Sequence, residues 1–353
     1  MFPCFSLVLM VNHACNLRCT YCYTGRKFNY RMPMAVASAA IDRAVASVEP
    51  GGTLDLGFFG GEPLLEAAFI ERVLRHARKR TRDAGIELCV GLTTNGAVTD
   101  ARAWSLMTRS DVDLAVSCDG LPEVHDAHRL FPDGGGSSDP VLRTLRKLVA
   151  RKRDFRVVLV ARPDTVARLP DGIRYLLDLG VRRFEPNLDL WCRWTSEDVE
   201  RLDAAIVECA EVWRHHLPDI GIGWFDEKAA LLAEMPLAGC ARCGFGQGEV
   251  AVAPTGRLYP CERLIGEDAE HNPMRLPGNA LDGGDFLALP SAPCRSHDAC
   301  RHCAIAAFCN TTCRCSNYVR TGDVRKPDRL LCMLNEICLR ETAAVLQDMC
   351  VSA

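Results

Sequence analysis

Residues 13–23 read HACNLRCTYCY and place three cysteines, Cys15, Cys19 and Cys22, in a C-x3-C-x2-C spacing. So dense a group of thiols constrains a chain more than any hydrophobic pattern, because the loop must close around whatever the sulfurs bind. A structural zinc site takes four ligands and is usually assembled from paired C-x2-C units. Three thiolates with no near fourth suit a cubane iron–sulfur cluster, in which each iron takes one outer ligand and one iron stays open. A zinc loop completed by His13 or by a distant cysteine is the competing reading.

The chain has 20 cysteines in 353 residues. That is too long for a secreted disulfide scaffold, and in a reducing compartment short cysteine spacings mark metal ligands. The cysteines crowd at 15–22 and again at 240–332. The formal net charge is −3 with no basic run, which argues against nucleic-acid and membrane partners. The opening MFPCFSLVLMVN has neither a basic leader nor a cleavage pattern, and no apolar run is long enough to span a bilayer. A cytoplasmic protein is expected.

Up to about residue 190, short apolar strands alternate with amphipathic helices. Ala37, Ile41, Ala44, Val45 and Val48 form one helical face, and Leu65, Phe69, Val73 and Ala77 another. Six such strands imply parallel pairing with right-handed crossovers. A closed eight-stranded barrel would need two more units. The expected fold is therefore α/β, an open six-stranded partial (β/α)6 TIM-type barrel with a small cysteine-rich extension. Thr195 and Asp198 can cap a long helix that follows the sixth strand. The barrel is expected over 1–217, a linker over 218–239, the extension over 240–335 and a C-terminal helix over 336–353. Within the extension, GEVAVAPTGRLYPCE reads as a hairpin.

In parallel α/β folds, ligands sit at the carboxyl ends of the strands. The first strand runs into the cysteine loop. The second ends in Gly60-Gly61-Glu62-Pro63, the third in Thr93-Thr94-Asn95-Gly96 and the fourth in Ser117-Cys118-Asp119-Gly120, followed by His125-Asp126 and Arg129. With these motifs in this order, residues 7 to about 190 resemble the radical SAM enzymes. Their shared motif is C-x3-C-x-aromatic-C, the aromatic here being Tyr21. The resemblance implies that the open iron chelates S-adenosylmethionine (SAM). Reductive cleavage then yields a 5′-deoxyadenosyl radical that abstracts a hydrogen atom. It also implies that Gly60, Gly61, Glu62 and Pro63 hold the SAM amino group. Asn95, Ser117 and Asp119 would serve the ribose hydroxyls and carboxylate, with Arg129 a further SAM-site candidate. Cys118 departs from the family's usual leucine.

Behind the barrel come Cys243, Gly256 and Cys261, then Cys300, Cys303, Cys309 and Cys313, then Cys332. This resembles the SPASM extension, which binds two more 4Fe–4S clusters, three in all. The resemblance implies one set of Cys240, Cys243, Cys261 and Cys313 and another of Cys300, Cys303, Cys309 and Cys332. Cys294 and Cys315 compete with Cys240 for the eighth place, and two zinc sites are the alternative. Cys4, Cys89, Cys192, Cys209, Cys338 and Cys350 read as small buried hydrophobes.

The resemblance implies an oxidoreductase of the maturase kind, similar to anaerobic sulfatase-maturing enzymes, oxidising or cross-linking a side chain of a peptide or protein. Glu262 occupies the place of that branch's base. Asn187, Asp189, Trp191 and Trp194 follow the sixth strand, where a substrate pocket is expected. A reductant such as flavodoxin or ferredoxin is implied. The cysteine motif begins at residue 15, so no leader-binding domain is expected before it. A separate leader-binding protein is then one expected partner. A radical SAM dehydrogenase of a small molecule and a zinc-stapled binding module are the alternatives.

Overall fold

The computed structural model describes residues 1–235, 244–289, 298–309 and 313–352. Six parallel strands follow the expected order: β1 (Phe2–Met10), β2 (Val48–Phe59), β3 (Glu87–Thr94), β4 (Asp113–Ser117), β5 (Arg156–Ala161) and β6 (Arg183–Leu188). Between them run α1 (Met34–Ser47), α2 (Ala67–Ala84), α3 (Ala101–Met107), α4 (Pro122–His128), α5 (Ser138–Ala150) and α6 (Leu169–Asp178). Along β1, Leu7 and Leu9 are wholly buried while Ser6 and Val8 are half-buried, and β2, β5 and β6 repeat this alternation. One face of the sheet is sealed by helices and the other lines an open concavity.

The sheet is larger than expected. Among the described residues it has nine strands in the order β7-β6-β5-β4-β3-β2-β1-β8-β9, and it does not close. The expected hairpin does form, from β8 (Glu249–Val252) and β9 (Leu258–Tyr259). It also lies beside β1, with β8 parallel to β1 from Ser6↔Glu249 to Leu9↔Val252. Pairing there buries Val250 and Val252, which a free hairpin would leave wet.

The stretch 218–239, expected as a linker, holds β7 (Gly221–Ile222) and α8 (Gly223–Leu232). A two-residue strand has no periodicity to read, which is why this step was invisible. The long helix α7 (Ser196–His216) begins in the expected capping box, Thr195 with Asp198. In the extension, α9 (Asp298–Arg301) and α10 (Arg314–Thr321) are short, and α11 (Arg329–Ser352) closes the chain. Leu65 is 42% exposed, not part of the α2 face, because Pro63–Glu66 is a tighter 3-10 turn that shifts the register. Ile70 and Leu74 take its place beside Phe69, Val73 and Ala77.

The extension docks on the barrel through specific contacts. Arg43 of α1 donates to the Asn279 carbonyl at 2.6 Å and to the Asp285 carbonyl at 2.6 and 3.0 Å. Its guanidinium also covers the Phe286 ring, which stacks on Phe5 of β1. Among the described residues no helix is long and apolar enough to cross a membrane.

Candidate active site

A cavity opens at the carboxyl ends of the strands. Cys15, Cys19, Cys22 and Tyr21 line one side, and Gly60, Gly61, Glu62 and Pro63 another, with Asn95, Ser117 and Arg129 beyond them. Asn187, Asp189 and Trp191 close it from β6, and Arg263 of the extension reaches in. Trp194 is not among the lining residues; its indole N–H donates to the Asp189 carbonyl.

The glycine pair is demanded by the cysteine loop. A Cβ on Gly61 would lie 2.2 Å from the Ala14 carbonyl oxygen, and one on Gly60 2.6 Å from Asn12 Oδ1. The two segments are laced together by Gly61 N–H to the Asn12 carbonyl (3.0 Å) and Glu62 N–H to the Ala14 carbonyl (2.8 Å).

Glu62 and Asp119, expected at SAM, direct their carboxylates into the protein instead. Glu62 accepts from Thr94 Oγ1 (2.8 Å), Asn95 N–H (2.7 Å) and Leu64 N–H (3.0 Å), joining the ends of β2 and β3. Burial pushes its pKa up to about 7 against these donors. Asp119 pairs with Arg129 through two bonds of 3.0 and 3.1 Å. It also accepts from Tyr21 Oη (2.5 Å) and Val160 N–H (2.9 Å). Its oxygens are saturated, so it braces Tyr21 and Arg129 rather than offering itself to a ribose. Burial opposes its charge, but Arg129 outweighs burial and its pKa stays below the usual carboxylate range. Asn95 contacts the cysteine loop too, donating to Asn16 Oδ1 at 2.8 Å.

The three thiols differ. Burial lifts Cys15 to about 12 and raises Cys19. Burial also acts on Cys22, but Lys27 outweighs it and the pKa falls below its usual value. The Lys27 ammonium donates to Cys22 Sγ at 2.9 Å, and Leu17 N–H to Cys15 Sγ at 3.3 Å. His13 does not line the cavity; it is buried against Phe28, with neither ring nitrogen hydrogen-bonded.

Further out, the structure brings Cys261, Cys313 and Cys315 together. The Sγ atoms of Cys313 and Cys315 are 3.4 Å apart, and Cys261 hydrogen-bonds Cys315. Cys240, Cys243 and Cys294 lie outside the described residues. Cys300, Cys303, Cys309 and Cys332 are close enough for their charges to act on one another. Glu262 does not line the cavity. Its carboxylate lies with Glu249 and Cys261, ligand atoms within 4.8 Å of one another. Tyr23, which lines the cavity, is the nearer group: it stacks between Phe59 and Trp191 and feels the charge of Glu262. Sequence reasoning missed Tyr23, although its place directly after Cys22 marks it. Of the remaining cysteines, Cys209 and Cys338 are buried as expected, and Cys118 is buried as well. Cys89 is exposed, Cys192 is half-buried and Cys4 is disulfide-bonded.

Residues 9–164 match the family model described as the Radical SAM superfamily. The chain carries a radical SAM domain. It is also similar, at 23% identity over 342 aligned positions, to the serine-type anaerobic sulfatase-maturating enzyme of Klebsiella aerogenes, covering 88% of this chain and 80% of that one. The PqqA peptide cyclase of Gluconobacter oxydans is 23% identical over 370 positions, 98% of this chain and 95% of that one. Among solved structures, anSMEcpe with bound AdoMet and the Kp18Cys peptide superposes with a TM-score of 0.80 at 18% identity, over 99% of each chain. A radical SAM domain takes SAM and an iron–sulfur cluster, and the donor set fits both. Three thiols face a cavity that Gly60, Gly61 and Arg129 also line, with Leu17 N–H donating to Cys15 Sγ and the Lys27 ammonium to Cys22 Sγ.

Proposed function

We propose that this chain is a radical SAM maturase of the SPASM type, which oxidises or cross-links a side chain of a peptide or protein. One observation carries the reading: the cavity that holds Cys15, Cys19 and Cys22 is closed on its far side by Arg263, which belongs to the second cysteine region. A substrate in that cavity touches both. The relatives' names, a sulfatase-maturating enzyme and a peptide cyclase, support a peptidyl substrate, as does the peptide in the similar solved structure.

Cys15, Cys19 and Cys22 would ligate one 4Fe–4S cluster and leave an iron for SAM, held by Gly60, Gly61, Pro63, Asn95, Ser117 and Arg129. When bound and reduced by one electron, SAM supplies a 5′-deoxyadenosyl radical as hydrogen-atom acceptor. Asp119 and Tyr21 fix Arg129, and Glu62 fixes the turn that follows β2. Two auxiliary clusters, on Cys240, Cys243, Cys261 and Cys313 and on Cys300, Cys303, Cys309 and Cys332, would take the electron that the oxidised substrate loses. The closeness of Cys315 to Cys261 and Cys313 supports it as the rival of Cys240 for the eighth place. Glu262 is the proposed base, with Tyr23 the cavity residue that feels its charge. A flavodoxin or ferredoxin would supply the first electron, and a separate leader-binding protein would present a leader-guided substrate.

The test is anaerobic turnover of the reconstituted protein with SAM, a reductant and candidate peptides. The expected result is 5′-deoxyadenosine together with a peptide lighter by two hydrogen atoms. Both should vanish when Cys15, Cys19 or Cys22 is changed to Ala. A colourless protein that holds zinc and no sulfide after reconstitution would overturn the reading.

A further inference from the structure

Lys228 belongs to no motif and lies where the sequence reads as a linker. It sits on α8, within the barrel, and is only 2% exposed. Its ammonium donates to the Phe308 carbonyl at 2.7 Å and to Asn335 Oδ1 at 2.7 Å. Phe308 directly precedes Cys309, and Asn335 stands about one helical turn beyond Cys332 on α11. One side chain of the barrel therefore holds two separate segments of the extension, each of which delivers a cysteine to the same set. Burying an ammonium costs several kcal/mol unless charges or dipoles compensate it. Bonded to the carbonyl next to Cys309, this ammonium feels the charges of Glu227, Cys309 and Cys338. The other two cysteine groups follow the same plan. Lys27 donates to Cys22, and the half-buried Arg263 feels the charges of Cys315, Cys313 and Cys261.

We propose that Lys228 is the resident cation of the outer cysteine set: it clamps the segments of Cys309 and Cys332 onto the barrel and raises the reduction potential of their cluster. This rests on the reading that the set ligates a 4Fe–4S cluster. Such a cluster gains one electron, and so one negative charge, when reduced. A fixed positive charge beside it stabilises the reduced form more than the oxidised one. Burial removes the solvent screening that would weaken the effect, and local charge and hydrogen bonding are the recognised determinants of cluster potential. Lys228 is a positioning residue, since it reaches the electron-carrying atoms only through its neighbours.

The experiment uses the full chain, reconstituted anaerobically, in a background with Cys15, Cys19 and Cys22 changed to Ala so that only auxiliary clusters are read. Iron and sulfide are counted and each cluster is titrated by EPR. In Lys228→Met one cluster should become at least tenfold harder to reduce, about 59 mV for a one-electron couple, while the other stays unmoved. Lys228→Arg, which keeps the charge, should stay within threefold of the parent. If Lys228→Met loses that cluster's iron, retention of the iron in Lys228→Arg supports the clamp. Loss in both variants, or full iron with an unmoved potential in Lys228→Met, overturns the proposal. A parent protein lacking the outer cluster would refute the underlying reading itself, and the iron count shows this before any variant is made.

Discussion

Arg129→Met tests whether the strand-end network is as closed as its geometry indicates. The substitution removes one partner of a buried pair and leaves Asp119 in place. The two side chains are 7% and 3% exposed, and bonds of 3.0 and 3.1 Å are lost. Breaking such a pair from one side costs about 3–5 kcal/mol. Tyr21 and Val160 still donate to the carboxylate, but neither carries charge. The sign of the pH dependence follows. In the parent, burial pushes the Asp119 pKa up, but Arg129 outweighs it and the pKa lies below its unfolded value. That stabilisation is complete above the unfolded value of about 3.9 and is lost as pH falls through the folded pKa. Without Arg129, burial outweighs the remaining donors and the folded pKa rises above the unfolded one. The variant's deficit should therefore be largest near pH 8 and shrink toward pH 5 as Asp119 takes up a proton. Adding Asp119→Asn should restore about 1–3 kcal/mol at pH 8, since a neutral amide replaces an unpaired charge. Urea unfolding followed by far-UV circular dichroism, on proteins prepared alike, measures the parent and both variants. A deficit below about 1 kcal/mol, or one that ignores pH, would show that solvent screens the pair and that the reasoning fails.

Gly61→Ala should displace the cysteine loop, because its Cβ would press on the Ala14 backbone; iron content and 5′-deoxyadenosine formation should collapse while the circular dichroism spectrum stays. Glu62 has its pKa raised to about 7 by burial, so its protonated form favours the fold: stability is full below about pH 4.5 and falls as pH rises toward 7, by about 3 kcal/mol. Glu62→Gln should flatten that slope in urea titrations taken across this range. Glu262→Gln should leave 5′-deoxyadenosine formation intact and stop product; unchanged product yield would assign the base elsewhere. Thr195→Ala breaks the capping box of α7 and should cost about 1 kcal/mol, read as a lower urea midpoint.

The strands and the cavity wall were legible because both depend on local pattern: runs of Leu, Val and Phe mark the strands, and motif residues fall at their carboxyl ends. What those motif residues do was less legible. Glu62 and Asp119 look like ligands in sequence, yet their partners are Asn95, Arg129, Tyr21 and Val160, drawn from different strand ends. Only folding shows that these carboxylates are already satisfied. Lys228 was hidden for a related reason. Its partners Phe308 and Asn335 lie 80 and 107 positions away, and a lysine inside GWFDEKAALL carries no local sign of burial. The joining of β8 to β1 was equally silent, since VAV fits any sheet edge.

That last pairing has a mechanical consequence. Strand β1 carries the loop of Cys15–Cys22 at its end, and the hairpin bonded along its flank ends two residues before Cys261. The gap between these sulfurs is thus ruled by the spacing of a continuous hydrogen-bonded ladder, not by a tether. An electron hopping between them would meet the same tunnelling distance at every turnover, however the substrate shifts above.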